Sequence, residues 1–90
     1  MTIACVPVRI VLWGVAREMA NISEKCVDMP KTLSYQSLKE LIFREILAEL
    51  LPLEKCCILA LNYEHIWDHD TVLNIRANSE IAVIPPVSGG

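Results

Sequence analysis

Only one stretch of this chain can form a long helix. Residues 35–51 contain no glycine or proline and consist mostly of good helix formers. Leu38, Leu41, Ile42, Ile46 and Leu50 recur at the i, i+3, i+4 spacing of one buried stripe, which Phe43 and Leu47 widen. Lys39, Glu40 and Arg44 fall on a solvated side. Ser34 stands where an N-cap accepts a bond from an orphan amide, and Pro52 closes the segment.

The 90 residues suffice for a single core. Residues 6–15 read as a strand, with Val8, Ile10 and Leu12 on one face and Arg9, Val11 and Trp13 on the other. Apolar residues on both faces suggest a central strand. Residues 16–21 break the pattern and lead through a wide loop to a second strand at 25–29, ended by Pro30. Beyond the helix, 56–62, 65–67 and 80–84 read as strands, with turns at 62–70 and 74–79. The order is strand, strand, helix, then two or three further strands. It predicts an α+β chain with a mixed sheet and the main helix packed across one face, of the β-grasp type. Residues 1–84 form its body and 85–90 an extended, flexible tail.

Hydrophobic residues make up 53% of the chain, so it either packs very completely or leaves an apolar face for a partner. No apolar run approaches the ~20 residues that span a bilayer. The first residues lack the pattern of a secretory signal, which points to the cytosol. A formal net charge of −3, with Lys and Arg scattered, argues against nucleic acid. Cys5, Cys26, Cys56 and Cys57 have no disulfide-framework spacing and no CxxC pair for zinc, so they read as free thiols. His65 and His69 would share a helix face and could hold a metal there; in strand and turn they read as surface polar residues. Trp13 and Trp67 read first as core and second as part of a docking face. No serine, cysteine or histidine set has catalytic spacing, and no Gly-rich phosphate loop exists.

The tail holds the chemistry. Pro85 and Pro86 stiffen the exit from the last strand, and Val87, Ser88, Gly89 and Gly90 then taper to no side chain at all. Such an end suits a narrow channel in another protein. Glycine lets a backbone carboxyl approach a nucleotide or nucleophile closely. Once activated as an acyl-adenylate, the Gly90 carboxyl could accept sulfur to give a thiocarboxylate, or an amine to give an amide. Gly90 is thus the reactive residue, and the preceding five insert into a partner.

The run from Glu80 through Gly90 resembles the C-terminal signature of molybdopterin synthase small subunits. Ala16-Arg17-Glu18 is similar to an element after their first strand, and Leu61-Asn62, Glu64 and Ile66 resemble residues before their last hairpin. Asn78-Ser79-Glu80 stands where Gly-Asp-Glu is usual, and Asn21 where glycine is common. Asn still suits a left-handed turn position. The long connection between Asn62 and Glu80 is more like the animal versions.

The resemblance implies a cycle in which a ubiquitin-activating-type enzyme adenylates Gly90 with ATP and a sulfurtransferase makes the thiocarboxylate. The tail then enters the large subunit, and sulfur passes to cyclic pyranopterin monophosphate, forming the dithiolene of molybdopterin. It implies two small and two large subunits, no permanently bound cofactor and no metal. Other readings of the same end are a sulfur carrier for thiamine or tRNA thiolation, a ubiquitin-like protein modifier, and a plain binding domain.

Overall fold

A computed structural model describes residues 4–86. Strand β1 (Cys5–Leu12) leads into a short helix α1 (Gly14–Ala20), and the chain returns as β2 (Glu24–Pro30). The short β3 (Thr32–Ser34) precedes helix α2 (Tyr35–Glu40). The helical path continues through π-type turns at Leu41–Ile46 and a 3-10 segment at Ala48–Leu53. Four strands complete the fold: β4 (Ile58–Leu61), β5 (Glu64–His65), β6 (Val72–Asn74) and β7 (Ser79–Ile84).

The main sheet runs β2-β1-β7-β4-β5. β1 and β7 pair in parallel, whereas β1–β2, β4–β7 and β4–β5 are antiparallel. The sheet is therefore mixed, with β7 at its centre and β1 beside it. Val8, Ile10 and Leu12 pair with Ser79, Ile81 and Val83, and all six are buried beneath the helical layer. Leu38, Ile42, Phe43 and Leu50 close that core from the other side, each fully buried. Burying each such side chain contributes roughly 1.5–3 kcal/mol.

Ser34 caps α2 as expected, its hydroxyl accepting from the Ser37 amide at 3.0 Å. The single straight helix over 35–51 does not form. At about 100° per residue, Leu38 and Leu47 would lie on roughly opposite sides of an ideal α-helix. The chain instead widens over Leu41–Ile46, where the Leu47 amide donates to the Ile42 carbonyl at 2.8 Å. It then breaks at Leu47 (φ −129, ψ 63), which lets Leu47 and Leu50 both reach the core. Pro52 lies inside the 3-10 segment instead of ending a helix.

Three further elements depart from the pattern in the sequence. The stretch after β1 is a helix, not an open loop, and Asn21 ends it in the left-handed conformation (φ 57). β3 and β6 form a separate two-stranded ladder that pairs Leu33 with Leu73, both buried, over one end of the core. Each strand is only three residues long, too short for alternation to register. Trp13 and Trp67 are surface residues, 55% and 71% exposed, so the core expectation for both is corrected.

Candidate functional site

Period-two alternation sorts the sheet into two faces. The face away from the helices carries Arg9, Val11 and Trp13 from β1 and its end. It also carries Glu80, Ala82 and Ile84 from β7, Ile58 and Ala60 from β4, and His65 from β5. Its two halves differ in chemistry. On the β2–β1 side Arg9 donates to Glu80 at 2.6 Å and lies 3.8 Å from Glu24. The Glu80 hydrogen bond, with the nearby Glu24 charge, raises the Arg9 guanidinium above its ordinary value, so it stays charged. On the β7–β4–β5 side the surface is an apolar groove lined by Trp13, Ala60, Ala82, Ile84 and Tyr63.

Tyr63 reaches that groove through an unusual turn. Asn62 and Tyr63 both adopt left-handed backbone (φ 49 and 72), the geometry of a tight two-residue hairpin between β4 and β5. Asn62 holds the turn to the central strand. Its amide donates to the Glu80 carbonyl at 2.8 Å, and its side-chain oxygen accepts from the Glu80 amide at 2.9 Å. Tyr63 is left 82% exposed. At the far end of β7, Asn78 takes the left-handed position expected of it (φ 66), and its amide donates to the Pro7 carbonyl at 2.6 Å.

The parallel pairing of β1 and β7 sets where the tail leaves. Both strands end at the same edge of the body, and the Trp13 amide extends their ladder to the Val83 carbonyl at 3.2 Å. Pro85 continues the inward-facing series of Ser79, Ile81 and Val83 and is buried, while Pro86 is exposed. Val87, Ser88, Gly89 and Gly90, which carry the expected chemistry, lie outside the described residues. The chain thus emerges beside Trp13 and the apolar groove.

The remaining clusters go elsewhere. His65 meets Trp67 edge-on at 5.2 Å, whereas His69 stacks on Tyr35 at 4.3 Å, so the two histidines serve different neighbours. Among the described residues no group of three or more His, Cys, Asp and Glu is placed to hold a metal. Cys5, Cys26 and Cys56 are exposed free thiols and Cys57 is a buried one. No helix among the described residues is long and apolar enough to cross a membrane.

Sequence reasoning singled out neither Tyr63 nor Gly14. Asn62-Tyr63 lacks the glycine that normally announces a two-residue hairpin turn. Gly14 had a visible signal: it is the only glycine before the tail, and it interrupts the apolar run of residues 6–15.

Comparison with known proteins agrees with this architecture. A molybdopterin synthase sulfur carrier subunit from Caenorhabditis briggsae is 33% identical over 85 residues, covering 94% of this chain and 99% of that protein. Two solved structures share the β-grasp fold. One is the small archaeal modifier protein 1 of Haloferax volcanii, with TM-score 0.69 and 15% identity over 91% of this chain and 99% of that one. The other is the complex of subunits 1 and 2 of molybdopterin-converting factor from Helicobacter pylori, with TM-score 0.65 and 19% identity over 94% of this chain and all (100%) of the matched one. The ThiS family model matches residues 10–90. The chain therefore belongs to the ThiS family, and molybdopterin synthase sulfur carrier subunits are its homologues.

Proposed function

We propose that this chain carries sulfur on the carboxyl of Gly90 for the synthesis of molybdopterin. The observation that carries the reading is the 33% identity to a molybdopterin synthase sulfur carrier subunit over 94% of this chain, within a family match that runs from β1 through Gly89 and Gly90. It is supported by a body that directs its end outward beside an apolar groove.

An activating enzyme joins the Gly90 carboxylate to the adenylyl group of ATP, with pyrophosphate leaving. Sulfide displaces AMP to give the thiocarboxylate directly, whereas a carrier persulfide gives an acyl disulfide that a thiol cleaves to the thiocarboxylate, leaving a disulfide on the carrier. Within a larger partner subunit the thiocarboxylate sulfur attacks a side-chain carbon of cyclic pyranopterin monophosphate and displaces its oxygen substituent. Hydrolysis of the resulting thioester returns the Gly90 carboxylate and leaves the sulfur on the pterin. A second loaded chain supplies the other dithiolene sulfur. This chain needs no catalytic side chain of its own. Its contribution is a terminus without a Cβ and a surface that docks.

The groove of Trp13, Tyr63, Ala82 and Ile84 is the docking surface for that larger subunit. Exposed aromatics beside aliphatic residues are typical anchors of such contacts. The charged half around Arg9 and Glu80 forms its rim. The complex of subunits 1 and 2 from Helicobacter pylori supports a partner of this kind.

The test is the intact mass of the chain ending at Gly90 after incubation with ATP, a sulfide source and a ubiquitin-activating-type enzyme. Exchange of one oxygen for one sulfur is the expected result. An unchanged mass with every activating enzyme tried overturns the proposal. A ladder of lysine-linked conjugates without sulfur exchange indicates a protein modifier instead. Addition of the large subunit and cyclic pyranopterin monophosphate then distinguishes molybdopterin synthesis from thiamine or tRNA thiolation.

A further inference from the structure

β1 ends at Leu12 and α1 starts at Gly14, so only Trp13 joins them. Gly14 opens the helix at φ +53, a left-handed backbone that side-chain-bearing residues adopt at a penalty. Its neighbour across space is the base of the tail. A Cβ built on Gly14 would lie 3.2 Å from the Cγ of Pro85, inside ordinary contact distance. Pro85 is buried there, with its own φ fixed by the ring. The Trp13 amide, bonded to the Val83 carbonyl, and the Trp13 carbonyl, accepting from the Ala16 amide at 3.1 Å, hold the corner on either side.

We propose that Gly14 is a positioning residue for the tail. Its missing Cβ lets Pro85 seat against the start of α1, and that seat fixes the direction in which the chain leaves the body at Pro86. The inference rests on the function proposed above, because direction matters only if the end must enter another protein's active site. A displacement of a few tenths of an ångström at Pro85 is levered over the residues that follow, and positional errors of about 1 Å can cost roughly 100-fold in rate.

Backbone strain and contact with Pro85 are separable. Asparagine tolerates the left-handed region, so Gly14→Asn relieves most of the strain yet keeps a Cβ against Pro85. Pro85→Ala then removes the Cγ that the Cβ meets. The experiment compares wild type, Gly14→Asn, Pro85→Ala and the double variant in thiocarboxylation of Gly90. Thermal unfolding and proton cross-peaks between residue 14 and the Pro85 ring are recorded alongside.

Gly14→Asn is expected to unfold within a few degrees of wild type and to keep KM within about two-fold. Its kcat falls at least about five-fold, and the double variant falls no further than the worse single variant, because both changes act through one seat. Wild type shows cross-peaks between Gly14 and Pro85, and Gly14→Asn loses or weakens them. Loading of Gly14→Asn at the wild-type rate overturns the inference, as does a double-variant loss equal to the product of the two single losses. Absence of the wild-type cross-peaks overturns it whatever the enzyme does. Failure of wild type itself to load overturns the sulfur-carrier reading, and the cross-peaks then decide the seat alone.

Discussion

Cys56 and Cys57 are neighbours in sequence but occupy opposite environments, one exposed and one buried. Burial first, and the adjacent Cys56 second, push the Cys57 thiol up to about 11. A raised value in the folded state means that the protonated thiol adds stability below its ordinary range, and that this is lost as pH rises toward 11. At neutral pH Cys57 is therefore a small hydrophobe. With iodoacetamide at pH 8, mass spectrometry should show prompt adducts on Cys5, Cys26 and Cys56, with Cys57 modified only after denaturation. Prompt labelling of Cys57 would contradict its burial. Glu54 shows the opposite shift. The Arg44 fork, at 3.0 Å to each carboxylate oxygen, holds its carboxyl below the usual range. That contribution is full above the ordinary carboxylate range and disappears as pH falls through the depressed value. Glu54→Gln should consequently flatten the acid limb of a stability-versus-pH curve, and an unchanged limb would show that the pair adds nothing. The free thiols were legible from cysteine spacing, but which thiol is buried was not. Cys57 is inside because it directly precedes β4, whose Leu59 shares its inward face.

At the scale of elements, the helix was legible and its shape was not. The apolar spacing marked Leu38, Leu41, Ile42, Phe43, Ile46, Leu47 and Leu50; Leu41 and Ile46 are half-buried and the other five are buried. On a straight helix Leu47 would lie opposite Leu38, so the π-type widening over Leu41–Ile46 and the break at Leu47 bring both to the core. Leu47→Ala should cost about 2–5 kcal/mol by chemical denaturation, because it empties a core site that the break exists to fill. A loss below about 1 kcal/mol would show that the 3-10 segment repacks freely. Ser34→Ala removes the cap on the Ser37 amide and should cost about 1 kcal/mol. Helix α1 escaped notice for a different reason. It is seven residues long with one buried residue, Ala16, and packs against the 3-10 segment, so no stripe betrays it.

At the scale of the whole molecule, the sheet separates stability from recognition. Its inward face is closed by the helical layer, whereas half of its outward face is an open apolar groove. Trp13→Ala and Tyr63→Ala should leave the unfolding midpoint nearly unchanged, since both side chains are mostly exposed. Each should weaken binding to the large subunit by roughly 2 kcal/mol, about 30-fold, measured by titration calorimetry. Binding at wild-type strength in both variants would move the docking surface elsewhere.

Alternation in β1 and good helix formers after Ser34 were enough to determine an α+β body, and prolines ahead of two glycines to single out the end as the candidate site. Those are local patterns, each set by neighbours a few residues apart. The tertiary structure decided what depends on distant partners. The pairing of β7 alongside β1, separated by some 70 residues, brings the tail out beside Trp13 and next to Gly14. It also leaves Trp13 exposed, because burial depends on what covers a face, and no helix among the described residues covers this one.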